Sequence, residues 1–105
     1  MQQVRERSTA YLTVTCRDKT GQAQAPSALT YRIDDVFSAQ AILPVTTVGT
    51  PSSTVELTLQ PAHNRILDPA RAVERRRVTV TATYGADDQV CDEYEYEVVN
   101  LGGVE

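Results

Sequence analysis

The groups through which chemistry would have to pass are few: one histidine, two cysteines, and scattered clusters of acids and arginines. His63, with Ser52, Ser53 and Asp68, supplies the residue types of a hydrolytic triad, in which an imidazole takes a hydroxyl proton and a carboxylate orients the ring. Neither serine stands in the G-x-S-x-G turn that exposes such a nucleophile. A single histidine in a turn-rich stretch is more simply structural, so an enzyme is not expected. Zinc needs His and Cys ligands grouped in space, and one histidine with the distant Cys16 and Cys91 does not group them. Asp18, Asp87, Asp88 and Asp92 offer the hard oxygen ligands that calcium takes. Yet the D-x-[DN]-x-[DN]-G signature is absent, and aspartates in turns commonly bond to their own backbone. No cofactor is expected, and these four are the only calcium candidates.

Two further groups are electrostatic rather than catalytic. Glu93, Glu95 and Glu97 alternate along one segment, the pattern of a solvated strand face rather than of a metal site. Arg71, Arg75, Arg76 and Arg77 form the one basic cluster, beside Glu95 and Glu97. Those glutamates can neutralise the arginines, or the mixed surface can dock a protein of complementary charge, a second copy included. Arg71, Arg75, Arg76, Arg77, Glu95 and Glu97 are therefore the candidate docking residues.

The element that positions them is a long hairpin over residues 76–100. Val78, Val80, Ala82 and Tyr84 share one side of its first half, and Arg77, Thr79, Thr81 and Thr83 the other. In its second half Val90, Tyr94, Tyr96 and Val98 oppose Cys91, Glu93, Glu95 and Glu97. This period of two is that of strands with one dry and one wet face. Gly85-Ala86-Asp87-Asp88-Gln89 supplies the turn. A register with Tyr84 opposite Val90 sets Val80 against Tyr94, Val78 against Tyr96 and Arg77 against Glu97. A one-residue slip would bring the glutamates into the core, so the phase is well specified.

The rest of the chain predicts four more strands. They are residues 8–16 (Leu12, Val14 and Cys16 inward), 28–35 (Leu29, Tyr31 and Ile33 inward), 39–48 and 54–60 (Val55, Leu57 and Leu59 inward). Pro44 assigns the strand over 39–48 to a sheet edge or a kink. Pro61 permits a helical turn over 61–67, with Ile66 and Leu67 closing the base of the core. Residues 1–7 read as an N-terminal arm that can add a sheet edge, 8–100 as a single domain and 101–105 as a tail. Edges of this kind can also take a strand from another chain. Cys16 falls on an inward phase and Cys91 on an outward one, so a disulfide is not expected.

With 105 residues, 41% of them hydrophobic, the chain is long enough for one core. Its net charge of −4 argues against general nucleic-acid binding. Residues 1–8 are polar with no apolar run behind them, so neither a leader nor a membrane span is expected, and synthesis in the cytoplasm is. Short strands at regular spacing without an amphipathic helix predict an all-β antiparallel sandwich of six or seven strands, and the strand order resembles that of immunoglobulin-like and fibronectin type III-like domains.

The segments Thr9-Ala10-Tyr11-Leu12-Thr13-Val14, Asp18-Lys19-Thr20-Gly21 and Pro26-Ser27-Ala28-Leu29-Thr30-Tyr31-Arg32-Ile33-Asp34 resemble small proteins from the structural-gene clusters of tailed bacteriophages and prophages. Arg77-Val78-Thr79-Val80-Thr81-Ala82-Thr83-Tyr84-Gly85 and Asp92-Glu93-Tyr94-Glu95-Tyr96 share the likeness. These proteins are immunoglobulin-like or fibronectin type III-like. The tryptophan and the E–F corner tyrosine of many such domains are missing, and arginines stand at that corner. The resemblance spans roughly residues 8–99. It implies a non-enzymatic accessory part of a virion, in the head–tail or tail region, that docks other virion proteins and is virion-associated after synthesis. It carries over no catalytic residues. The alternative on the same fold is a binding module for cell-surface carbohydrate or protein, for which Tyr11 is the one outward tyrosine.

Overall fold

The computed structural model describes residues 2–85 and 88–102. Seven strands follow one another: β1 (Gln2–Arg5), β2 (Ala10–Thr15), β3 (Ala28–Asp35), β4 (Ala41–Thr47), β5 (Thr54–Leu59), β6 (Val73–Gly85) and β7 (Asp88–Val99). A 3-10 turn, Pro61–Asn64, leads from β5 towards β6. The strands form a five-stranded sheet in the order β1-β7-β6-β3-β4 and a two-stranded sheet of β2 and β5. Apolar residues of both sheets join one core, so the fold is an all-β sandwich.

The alternation read from the sequence sets the faces. Leu29 and Ile33 of β3, Val78 and Val80 of β6, and Tyr96 and Val98 of β7 are buried against Val14, Leu57 and Leu59 of the smaller sheet. Leu12, Tyr31, Val55 and Tyr94 pack against that core but remain partly exposed. Val4, Ala10, Cys16 and Ala82 complete it. Cys16 is thus interior, whereas Cys91 stands exposed on the outer face, as their phases require. Pro44 lies in β4, an outer strand of the larger sheet, where a residue without an N–H does least harm.

Three expectations need correction. The sandwich is not wholly antiparallel: β1 pairs in parallel with β7. The chain leaves β1 not by a hairpin but by a corner into the other sheet, through Arg7 in the left-handed region (φ 56°), so no tight reversal forces the pair antiparallel. The hairpin register differs by two residues, with Val78 opposite Tyr94, Arg76 opposite Tyr96 and Arg77 opposite Glu95. The strands run on to Gly85 and Asp88, which pair, with a shift in pairing beside Thr83. Because the difference is even, every side chain keeps its face. Finally, Leu67 is exposed and only Ile66 packs on the core; polar groups close the base instead.

Candidate functional site

The long β6–β7 hairpin carries three distinct environments: a polar plug at its base, a charged outer face, and an open groove at its tip. The plug is built on Arg76 and Glu74, which share the inward phase of Val78 and Val80 and are 0% and 2% exposed. The Arg76 Nε donates to Asp35 Oδ1 at 3.2 Å. Its Nη2 donates to Glu74 Oε1 at 2.5 Å and to the Arg65 carbonyl at 2.6 Å, and its Nη1 reaches the His63 carbonyl at 3.4 Å. Glu74 in turn accepts the backbone N–H groups of Leu67 and Asp68 at 2.8 and 2.9 Å. Asp35 accepts both the N–H and the hydroxyl of Ser38.

Beside this cluster the Tyr96 hydroxyl donates to Asn64 Oδ1 at 2.8 Å, and Asn64 Nδ2 donates to the Ser8 carbonyl at 2.7 Å. Burial pushes the Tyr96 hydroxyl up to about 12, against a smaller opposing effect of the Arg76 charge. One guanidinium therefore ties the connection between β5 and β6 to β3 and β6. Buried charges persist when paired and hydrogen-bonded in this way. Arg76 is thus not a docking residue: it faces inward and reaches no solvent.

The outer face carries Arg75, Arg77, Glu95 and Glu97 of the predicted set. Arg77 stands opposite Glu95 and lies 3.5 Å from Glu93 and 3.7 Å from Glu95. Arg32 forms a two-pronged pair with Asp34 on neighbouring β3, at 2.9 and 2.7 Å. Arg75 stands opposite Glu97, but Glu97 instead accepts from the Gln3 side chain at 3.2 Å. Arg75 forms no ion pair among the described residues. The Nε atoms of Arg75 and Arg77 are shielded and lack a well-directed hydrogen bond. Arg71 lies elsewhere. It stacks over the exposed ring of Phe37, 4.7 Å from its centroid, and approaches Asp68 at 3.5 Å.

The candidates for other chemistry are placed as turn formers. His63 Nδ1 accepts the Gln60 N–H at 3.2 Å, and burial lowers the imidazole pKa. Asp68 Oδ1 accepts the Ala70 N–H. Ser53 uses its carbonyl to accept the Cys16 N–H. The Asp18 Oδ1 accepts from the Thr20 N–H and hydroxyl and from the Gln22 N–H, and the Thr20 hydroxyl above all draws its pKa down. Asp92 accepts the Glu93 N–H. Asp88 begins β7, and Asp87 lies outside the described residues. Among those residues no three His, Cys, Asp or Glu side chains are grouped to hold a metal.

At the tip, β2 and the hairpin diverge around a groove of about 430 Å³, lined by Val14, Cys16 and Arg17 on one side and by Ala82, Val90, Asp92 and Tyr94 on the other. Desolvation, reinforced by nearby acids, raises the Tyr84 and Tyr94 hydroxyls above their ordinary range. Sequence reasoning missed both the plug and the groove. Parity held the signal for each: Glu74 and Arg76 are in phase with Val78, and Asp92 is in phase with Val90 and Tyr94.

Compared with known protein families, curated proteins and solved structures, the chain matches none.

Proposed function

We propose that the chain is a non-enzymatic, immunoglobulin-like interaction domain, an accessory component of a phage or prophage virion that works by docking other proteins. The observation that carries the docking reading is the outer face of β3, β6 and β7. There Arg32, Arg75 and Arg77 interleave with Asp34, Glu93, Glu95 and Glu97, and Arg75 has no carboxylate partner of its own among the described residues. Such a face favours a partner of complementary pattern and rejects mismatched ones.

The strand arrangement supports the immunoglobulin-like part. β3, β6 and β7 stand as C, F and G do in such domains, and β2 and β5 as B and E. The body is elongated, 46 × 23 × 21 Å, and its base is locked by Arg76, which suits a stiff spacer. The virion setting rests on the resemblance of residues 8–99 to phage structural-cluster proteins.

Mass spectrometry of gradient-purified particles, after prophage induction in the source strain, tests the setting. Stoichiometric abundance of the chain, with cross-links from the outer face to a neighbour, is expected. Its absence from particles that hold their other structural proteins overturns the virion assignment. A carbohydrate-binding role draws on Tyr11, a residue 57% exposed. Saturable glycan binding lost in Tyr11→Ala would favour that reading instead.

A further inference from the structure

We infer that the free edge of β2 and the groove beside it form a second docking site, which takes an extended strand of a partner protein bearing alternating small apolar residues and one lysine or arginine. The inference rests on the reading of the chain as a docking domain, but it places the contact away from the charged outer face.

The backbone argument comes first. Among the described residues β2 pairs only with β5, and the Cys16 N–H donates to the Ser53 carbonyl, which fixes the phase of that ladder. In an antiparallel pair the residues alternate between facing the partner and facing away. Ala10, Leu12 and Val14 therefore face β5, and the N–H and C=O groups of Tyr11, Thr13 and Thr15 point to the free edge. None of these has a backbone partner among the described residues. Natural sheets guard such edges with charge, proline, bulges or brevity. β1 is four residues long and ends in Arg5, β4 contains Pro44 and irregular pairing, and β5 carries Glu56. Ala10–Thr15 has none of these devices: it is uncharged, regular and rich in residues that favour strands.

The side-chain argument is independent. The groove beside this edge exposes the inner phase of the hairpin tip, where Val90 is 41% exposed although its phase is that of the core. A strand added to β2 would set alternate side chains over Val90, Ala82 and Tyr94. Asp92 stands on the same inner phase and has no cation partner among the described residues. Arg17, the other charged residue on the lining, donates to the Gly21 carbonyl at 3.1 Å and forms no ion pair with Asp92, so the acid calls for a base on the incoming strand.

The test uses short synthetic peptides alternating threonine and valine, with lysine, threonine or glutamate placed at each valine position in turn. Binding to the full chain is read by fluorescence anisotropy and by amide chemical shifts. The best lysine peptide is expected to bind about tenfold or more tighter than its glutamate counterpart. It should shift the amides of Tyr11, Thr13 and Thr15, and Asp92→Asn should bring the two peptides close to parity. Thr13→Pro removes a free-edge N–H without touching the β2–β5 ladder and should abolish binding. As a check that needs no protein variant, N-methylation of the peptide on the edge facing β2 should abolish binding, and on its other edge should leave it intact. Absence of binding by every peptide, indifference to the site of N-methylation, or equal affinity for lysine and glutamate peptides overturns the proposal. Arg75→Ala and Arg77→Ala should leave peptide binding unchanged, so failure here and failure of the outer-face reading are separable.

Discussion

The base and the tip of one hairpin close the same gap between sheets in opposite ways. At the base, β6 and β7 contribute Glu74, Arg76 and Tyr96, and every one of these polar groups meets a partner brought by β3 or by the connection after β5. At the tip, the same two strands contribute Val90, Asp92 and Tyr94, and no described element covers them fully. The difference follows from the connections. The stretch from Pro61 to Asp68 folds back across the base and must satisfy its own N–H and C=O groups there, which a guanidinium and a carboxylate accomplish. The two-stranded sheet is too narrow to bring a comparable cover to the tip. One end is thereby fixed and the other left able to bind.

Arg76→Ala, at the locked base, should have the largest effect. It leaves Asp35 and Glu74 buried without their cation, and a loss of about 3–5 kcal/mol in denaturant-measured stability is expected. Leu29→Ala, at the centre of the shared core, should cost about 2–5 kcal/mol through the cavity it leaves. Tyr96→Phe removes a buried donor from Asn64 and should cost about 1–3 kcal/mol.

Tyr96 also predicts alkaline behaviour. Its hydroxyl titrates at about 12 in the folded chain and at about 10 once unfolded, so between these values the unfolded state holds fewer protons. Stability is fully present below pH ~10 and falls as pH rises towards ~12, by about 2–3 kcal/mol from this group. Denaturation midpoints across that window should fall more gently in Tyr96→Phe. On the outer face Arg77→Ala should cost no more than about 1 kcal/mol, since its ion pairs are exposed. At the tip Val90→Thr should stay within about 0.5 kcal/mol. A tip variant as costly as Arg76→Ala would erase the distinction between the ends.

Much of the fold was legible because alternation is a direct consequence of strand geometry. The inward phases of Leu29, Ile33, Leu57, Val78, Val80 and Val98 needed no more than counting by two. The parallel pairing of β1 was not legible, because four residues carry no sign of strand direction. Arg76 shows how a charged triplet misleads. Arg75, Arg76 and Arg77 resemble a surface patch by composition, yet parity divides them, and only the convergence of Asp35, Glu74 and the Arg65 carbonyl makes the inward position tolerable. Glu74 is two residues away, but Arg65 and Asp35 lie 11 and 41 residues away in the chain, beyond the reach of a local pattern. The outer-face positions of Arg75, Arg77, Glu95 and Glu97, by contrast, were readable in advance because alternation fixes the side of the sheet, whereas their pairing was not, since the register lies two residues from the expected one.

Residue-resolved amide hydrogen exchange on the free, full chain tests the contrast between a locked base and an open edge most directly. The amides of Leu67 and Asp68, although in a connection, should exchange as slowly as those of Val78 and Val80, because Glu74 holds them. Along β2 the pattern should alternate, with Leu12 and Val14 slow and Tyr11, Thr13 and Thr15 faster by orders of magnitude. Uniform protection along β2, or rapid exchange at Leu67 and Asp68, would contradict the account.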